Sequence, residues 1–291
     1  MTRMVGLVLH YRTPARTSAC LESLVAAGCR ELIVIDNSGD QGVSVTAMSE
    51  HMTAIRAGGC ALDVVDAGRN LGFAAGVNLG LRQARGTGPA RIALVNSDAE
   101  LSAGAFARAS ELLAAGADLV VPNEEGQPAV APKYYARFLG LVLPFAGPGM
   151  VRMCSGAVLF LSERLAATDL FDEAFFFYGE DVDLAGRLAR SGGRIIFARD
   201  VLFRHVGAVS AVRGSLFYEY HIVRGHWLLA MRLNNRAWER LLAVVGRSIV
   251  LPARAGLRSL RSRSLTPLTG LALATWDLVI GRPRNLAPGQ A

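Results

Sequence analysis

Three carboxylates, Glu180, Asp181 and Asp183, fall within four residues, directly after the aromatic run Phe175, Phe176, Phe177, Tyr178 and then Gly179. Neighbouring acids raise one another's proton affinity, and an apolar wall raises it further, whereas a helix N-terminus lowers it. Leu184, Ala185, Leu188 and Ala189 then recur at helical spacing as far as Gly192-Gly193, so the acids sit at the mouth of a helix. The dipole and free N–H groups of a helix start favour acids there. That accounts for one or two of them and leaves a third over. Opposed influences of this kind can place a carboxylate where it accepts a proton near neutral pH. Asp181 is the candidate base, with Glu180 as its alternative.

A second set of polar residues follows apolar runs. Asp36-Asn37-Ser38 ends one run, Asp66 the next, and Asn96-Ser97-Asp98 a third. Any one of these is explained by the turn preference of Asp, Asn and Ser. Three together suggest a ligand rim, because open α/β sheets bind ligands beyond the carboxyl ends of their strands. Between 68 and 78 the chain reads Gly-Arg-Asn-Leu-Gly-Phe-Ala-Ala-Gly-Val-Asn, small enough for close backbone approach and leading into a helix N-terminus. It lacks the spacing of a dinucleotide fingerprint or a P-loop, which argues against a dehydrogenase or a P-loop NTPase. His205 closes an apolar run ahead of Gly207 and Ser210 and is a candidate metal ligand.

The elements that must carry these residues alternate. Apolar runs predict strands over 4–9, 31–35, 61–65, 91–95 and 117–121, and periodicity predicts helices over 17–27, 74–85 and 105–115. The stretch 122–150 reads as a flexible loop that faces substrate. A strand over 151–161 is interrupted at Ser155-Gly156-Ala157, and further strands follow at 194–198 and 201–204. Alternation of this kind implies a mostly parallel sheet covered by helices on both faces.

The 291 residues carry a net charge of +7, but residues 232–291 hold ten arginines against two acids, Glu239 and Asp277. The division expected is therefore a nearly neutral catalytic domain over 1–231 and a basic, amphipathic helical extension over 232–291. In that extension Arg236, Arg240, Arg247, Arg254, Arg258 and Arg261 share one side of a helix, and Leu242, Val245, Ile249 and Leu260 share the other. A basic face lying on an anionic membrane is one reading, and a helical hairpin with its arginines in solvent is the other. No apolar stretch has the length to span a bilayer. Nothing resembles a nucleic-acid-binding module. The scattered Cys20, Cys29, Cys60 and Cys154, and the lack of a charged leader before the first strand, point to a cytoplasmic protein, peripheral at most on the inner membrane face.

Taken together, the motifs resemble family-2 glycosyltransferases of the A-type fold, within the rhamnosyltransferase-like branch. The matching segments are Asp36-Asn37-Ser38, the Asn70–Asn78 loop, Asn96-Ser97-Asp98, and Phe171-Asp172-Glu173 with Phe176–Leu184; Ser155-Gly156-Ala157 and His205 also fit. The resemblance covers residues 4–231 and departs from the family at Ser97, at Asn96 in place of an acid, and at Gly179. It implies inverting transfer of a sugar, rhamnose-like or another hexose, from a nucleoside diphosphate to a glycan or polyprenyl-diphosphate-linked glycan in cell-envelope polysaccharide synthesis. The implied donor contacts are His10, Asp36, Asn37, Asp66, Arg69, Asn70, Gly72, Asn78, Asn96, Ser97 and Gly156. Asp98 and His205 would hold Mg²⁺ or Mn²⁺, and Phe177 and Tyr178 would shape the acceptor site. The rival readings are a nucleotidyltransferase of similar fold, which would normally need a Gly-rich basic loop after the first strand, and a non-catalytic sugar-binding protein.

Overall fold

The computed structural model describes residues 3–126, 132–154, 156–205, 214–284 and 286; Ser155, Gly207 and Ser210 lie outside them. In chain order the elements are β1 (Met4–His10), α1 (Pro14–Ala26), β2 (Glu31–Asp36), α2 (Val43–Thr46), α3 (Ser49–Ala57), β3 (Ala61–Asp66), α4 (Phe73–Gly86), β4 (Arg91–Asn96), β5 (Ala99–Leu101), α5 (Ala105–Ala114), β6 (Leu119–Glu124), β7 (Tyr134–Ala136), β8 (Leu141–Leu143), β9 (Met150–Arg152), β10 (Val158–Leu161), α6 (Glu163–Ala166), α7 (Glu180–Arg190), β11 (Ile195–His205), α8 (Leu216–Arg232), α9 (Ala237–Ser262) and α10 (Thr266–Ile280). They form two compact units. One comprises Met1–Ala131, Cys154–Glu173 and Arg190–Gly207, the other Pro132–Met153, Ala174–Ala189 and Ala208–Ala291.

The first unit is built on one sheet in the order β3-β2-β1-β4-β10-β6-β11-β5. β3, β2, β1 and β4 are mutually parallel, as are β6 and β11, while β10 and β5 run antiparallel to their neighbours. Alternate residues feed opposite faces. Val8, Val34 and Val95 pack with Leu21 of α1, Met52 of α3 and Phe106 of α5. Leu7, Leu9 and Ile35 meet α4 instead, so closely that a Cβ on Gly80 would lie 2.3 Å from the Leu7 side chain and one on Gly76 would lie 2.6 Å from Leu9. The small residues of this segment thus serve helix-to-sheet packing as well as the loop before it. All four cysteines are buried free thiols.

The second unit holds α7, α8, α9 and α10 and a three-stranded antiparallel sheet, β8-β7-β9. Two expectations fail here. The stretch 122–150 is not simply a loop: it continues β6 to Glu124 and then supplies β7 and β8. The single strand expected over 151–161 is two strands in different sheets, β9 and β10. α9 runs unbroken through Pro252. Its arginine side turns partly inward. Arg247 is fully buried, and Arg258 pairs with Glu219 of α8. Leu242, Val245, Ile249 and Leu260 point outward. Among the described residues no helix is long and apolar enough to cross a membrane.

Candidate active site

In the first unit the parallel register carries chemistry to one edge. His10 of β1 lies opposite Asp36 of β2, Asp36 opposite Asp66 of β3, and Leu9 opposite Asn96 of β4. Four adjacent strands therefore end level, each with a polar residue. Behind this row a buried hydroxyl chain fixes His10, whose Nδ1 lies 2.8 Å from Thr17 Oγ1 and whose Nε2 lies 3.0 Å from Ser44 Oγ. Ser44 Oγ donates to Ser38 Oγ at 2.9 Å, and the Ser38 amide donates to Asp36 Oδ1 at 3.0 Å. Burial holds the His10 pKa below the usual imidazole value, against the pull of Asp36 and Asp40. Thr17, Ser38 and Ser44 carry no periodic signal, and sequence reasoning did not single them out for this role.

The loop before α4 is tied to the same edge. Asn37 Nδ2 donates to Asn70 Oδ1 and to the Gly72 carbonyl, both at 3.1 Å, while its Oδ1 accepts from the Leu71 amide at 2.8 Å. Asp66 accepts from the Gly68 amide at 2.7 Å and remains exposed, as does Arg69. Asn78 is fully buried. Its Oδ1 accepts from the Leu170 and Phe171 amides, and its Nδ2 donates to the Phe171 carbonyl at 2.8 Å. Every polar atom of that amide thus has an intrachain partner, and its observed work is to fasten the 170–173 segment to α4. Gly156 is exposed just ahead of β10. A cavity of about 230 Å³ lined by Ala84, Arg85, Ile92 and Glu163 lies at the opposite, amino-terminal end of β4.

Asp98 follows β4, and His205 ends β11, where it pairs in register with Ala99 of β5. That register brings His205 Nε2 to 3.2 Å from Asp98 Oδ2, with both side chains partly shielded. One carboxylate and one imidazole suit a cation such as Mn²⁺, which accepts both oxygen and nitrogen. Among the described residues no group of three or more His, Cys, Asp or Glu could hold a metal.

The second unit carries the acid cluster. Tyr178 and Gly179 both adopt the left-handed backbone region, with φ of 66° and 103°. A side chain is rare at such a φ, and strain of this kind is held only by its surroundings. The turn opens α7, which starts at Glu180. Gly225 of α8 lets that helix close on the turn: a Cβ there would lie 2.5 Å from the Tyr178 carbonyl oxygen. Asp183 is buried and bonded to Arg187 Nε at 2.8 Å, so the third acid is accounted for structurally. Asp181 Oδ1 accepts from the Val182 amide at 2.8 Å. Glu180 reaches solvent in part, but its Oε2 is enclosed without a hydrogen-bond partner. Burial first, and the Asp181 carboxylate second, push the Glu180 pKa well above the usual carboxylate range.

The aromatic wall is larger than the sequence run suggests. Phe176 stacks on His221 of α8 at 4.9 Å, Phe217 lies 5.5 Å from Phe177, and Tyr178 meets Tyr218 edge-on at 5.3 Å. Burial, helped by Arg224, lowers the His221 pKa to about 3, so this ring is neutral and acts as part of the wall.

Comparison with known proteins comes in two parts. Residues 7–137 match the sequence profile of glycosyl transferase family 2. Two solved structures share the fold. A mannosyltransferase from Pyrobaculum calidifontis in complex with GDP-Man and Mn²⁺ is 16% identical with a TM-score of 0.58, over 97% of this chain and 88% of that one. GalNAc-T7 with UDP, GalNAc and Mn²⁺ is 11% identical with a TM-score of 0.59, over 97% of this chain, which spans 58% of that longer protein. No curated protein matches the sequence.

Proposed function

We propose that this chain, whose residues 7–137 match the profile of glycosyl transferase family 2, is a glycosyltransferase that uses a nucleotide-sugar donor and transfers a hexose or rhamnose-like sugar, with inversion, to a glycan or lipid-linked glycan. Cell-envelope polysaccharide synthesis is the setting that such an acceptor suggests. The observation that carries the reading is the Asp98–His205 pair beside a level row of polar strand ends. Two relatives of the same fold carry Mn²⁺ with a sugar nucleotide or its parts, which supports a divalent cation, Mg²⁺ or Mn²⁺, at Asp98 and His205. When bound, that cation would neutralise the diphosphate charge that grows as the anomeric bond breaks.

The chain's own groups have separable tasks. Asp36, Asp66 and Arg69, with Asn96 and Ser97, bind the nucleotide and ribose, while His10, Asn37, Asn70 and Gly72 hold the rim in shape. Asn78 acts through its hold on the 170–173 segment. Asp181 takes the proton of the acceptor hydroxyl as that oxygen bonds to the anomeric carbon and the nucleoside diphosphate departs with the old bonding pair. Attack opposite the leaving group inverts the sugar. Burial and the neighbouring Asp181 carboxylate raise the proton affinity of Glu180, so Asp181 is the member of the pair assigned as base. Phe177 and Tyr178 shelter the acceptor.

The test is Asp181→Asn in the full chain. Transfer should be lost while nucleotide sugar with Mn²⁺ still raises the melting temperature, since ligand binding to the folded state stabilises it. Retained turnover would remove Asp181 from the role.

A further inference from the structure

The outward side of α9 and α10 is apolar to a degree that water does not favour. Leu241, Val245, Ile249 and Leu260 of α9 are 63%, 49%, 68% and 79% exposed, and Trp276 and Val279 of α10 are 58% and 75% exposed. A soluble surface seldom gathers large apolar side chains in this way unless they meet a partner. The two helices present one surface. A depression of about 410 Å³ is lined by Ser248 and Pro252 from α9 and by Leu268, Ala272, Trp276 and Val279 from α10.

Charge identifies the partner. From residue 232 onward the only acids are Glu239 and Asp277, and both are buried. Glu239 is held by Arg137 and Asp277 by Arg284. The exposed charges of this region are therefore arginines. Arg236 and Arg240 stand at the start of α9, Arg261 and Arg263 at its end, and Arg282 just after α10. An apolar centre with a cationic rim and, among the described side chains from 232 onward, no exposed carboxylate complements an anionic lipid leaflet. A second copy of the chain would press cationic rim against cationic rim.

We propose that the α9–α10 face is a membrane-docking surface lying in the plane of an anionic leaflet. Its leucines, isoleucine and valines enter the boundary between headgroups and acyl chains, a depth of about 5–10 Å. Trp238 and Trp276 sit at that boundary, where the amphipathic indole is favoured. The rim arginines pair with lipid phosphates. Neither helix crosses the bilayer, in keeping with their limited apolar length. The attraction is thus chiefly apolar, with the basic residues acting as a rim, which reverses the arrangement of an arginine face laid on lipid. Docking of this kind does not rest on the transfer chemistry, and it is measured with no sugar present.

The experiment is flotation of the full chain with vesicles of phosphatidylcholine, with and without phosphatidylglycerol. Wild type should float with the anionic vesicles, keep a substantial bound fraction at high salt, and show a blue shift of tryptophan fluorescence. A triple variant, Ile249→Glu, Leu260→Glu and Val279→Glu, alters only exposed positions and should keep its circular dichroism. It should partition at least about tenfold more weakly, which corresponds to about 1.4 kcal/mol. A double variant, Arg261→Gln and Arg263→Gln, should lose preference for the anionic vesicles while still binding. The proposal falls if the triple variant floats like wild type. It also falls if wild type stays with the solvent and is instead a dimer by light scattering that the triple variant makes monomeric.

Discussion

At the scale of single residues, Glu180 and Asp181 are chemically alike and differ in their surroundings. Burial and the adjacent Asp181 carboxylate push the Glu180 pKa up, whereas Asp181 accepts a backbone amide at the first turn of α7. Asp181→Asn is therefore expected to lower kcat by about a thousandfold, within the usual range for loss of a general base. Glu180→Gln, which keeps a neutral side chain, should cost far less. Initial rates of nucleoside diphosphate release check both. His226 offers a pH test of the second unit. Burial, with Arg254 and Arg247, lowers its pKa to about 3 from an ordinary 6.5. A depressed histidine contributes stability that is full above pH 6.5 and is lost as the pH falls towards 3. At pH 5 the loss amounts to about 2 kcal/mol relative to neutrality. His226→Gln should flatten that part of the urea-midpoint profile, and an unchanged slope would place the acid sensitivity elsewhere.

At the scale of elements, two contacts hold α8 and α9 in place. Gly225→Ala puts a methyl group 2.5 Å from the Tyr178 carbonyl. Either the turn or the helix must then move, at a cost of about 1–3 kcal/mol. Because that turn opens α7, kcat should fall while donor affinity is unchanged, as read by a thermal-shift titration. Arg247 is fully buried and donates to the carbonyls of His226 at 2.6 Å and Arg137 at 2.8 Å and to the Tyr135 hydroxyl at 3.2 Å. Arg247→Met strips these acceptors of a donor and should destabilise the chain by about 3 kcal/mol or more in urea unfolding. These contacts also show where sequence reading stops. The central strands of the first unit were legible because strands buried on both faces are unbroken apolar runs, as in Val5–Leu9 and Ile92–Val95, whereas the three-residue β5 was missed. β7, β8 and β9 have three residues each, too few for any period to show. α3 has only Met52 and Ile55 buried and left no stripe to find.

At the scale of the whole chain, the uneven charge was plain in the sequence, but the side it faces was not. Periodicity put six arginines on one side of α9 and said nothing of Glu219, the backbone carbonyls or Tyr135, which turn Arg247, Arg254 and Arg258 inward while Arg236, Arg240 and Arg261 stay exposed. A long arginine stem buries readily once its head group finds acceptors. The strand-end acids were legible because the residue after a strand is fixed by the strand. The pairing of Asp98 with His205 depends on the register of β11 against β5, which no local pattern encodes. The most direct measurement follows from that pair: release of nucleoside diphosphate by the purified full chain, offered a panel of sugar nucleotides with Mn²⁺ and a lipid-linked glycan extract. At least one donor should be turned over, with activity lost on chelation of the metal and in both Asp98→Asn and Asp181→Asn. Turnover that survives chelation and both substitutions at the wild-type rate would contradict the assignment of cation and base.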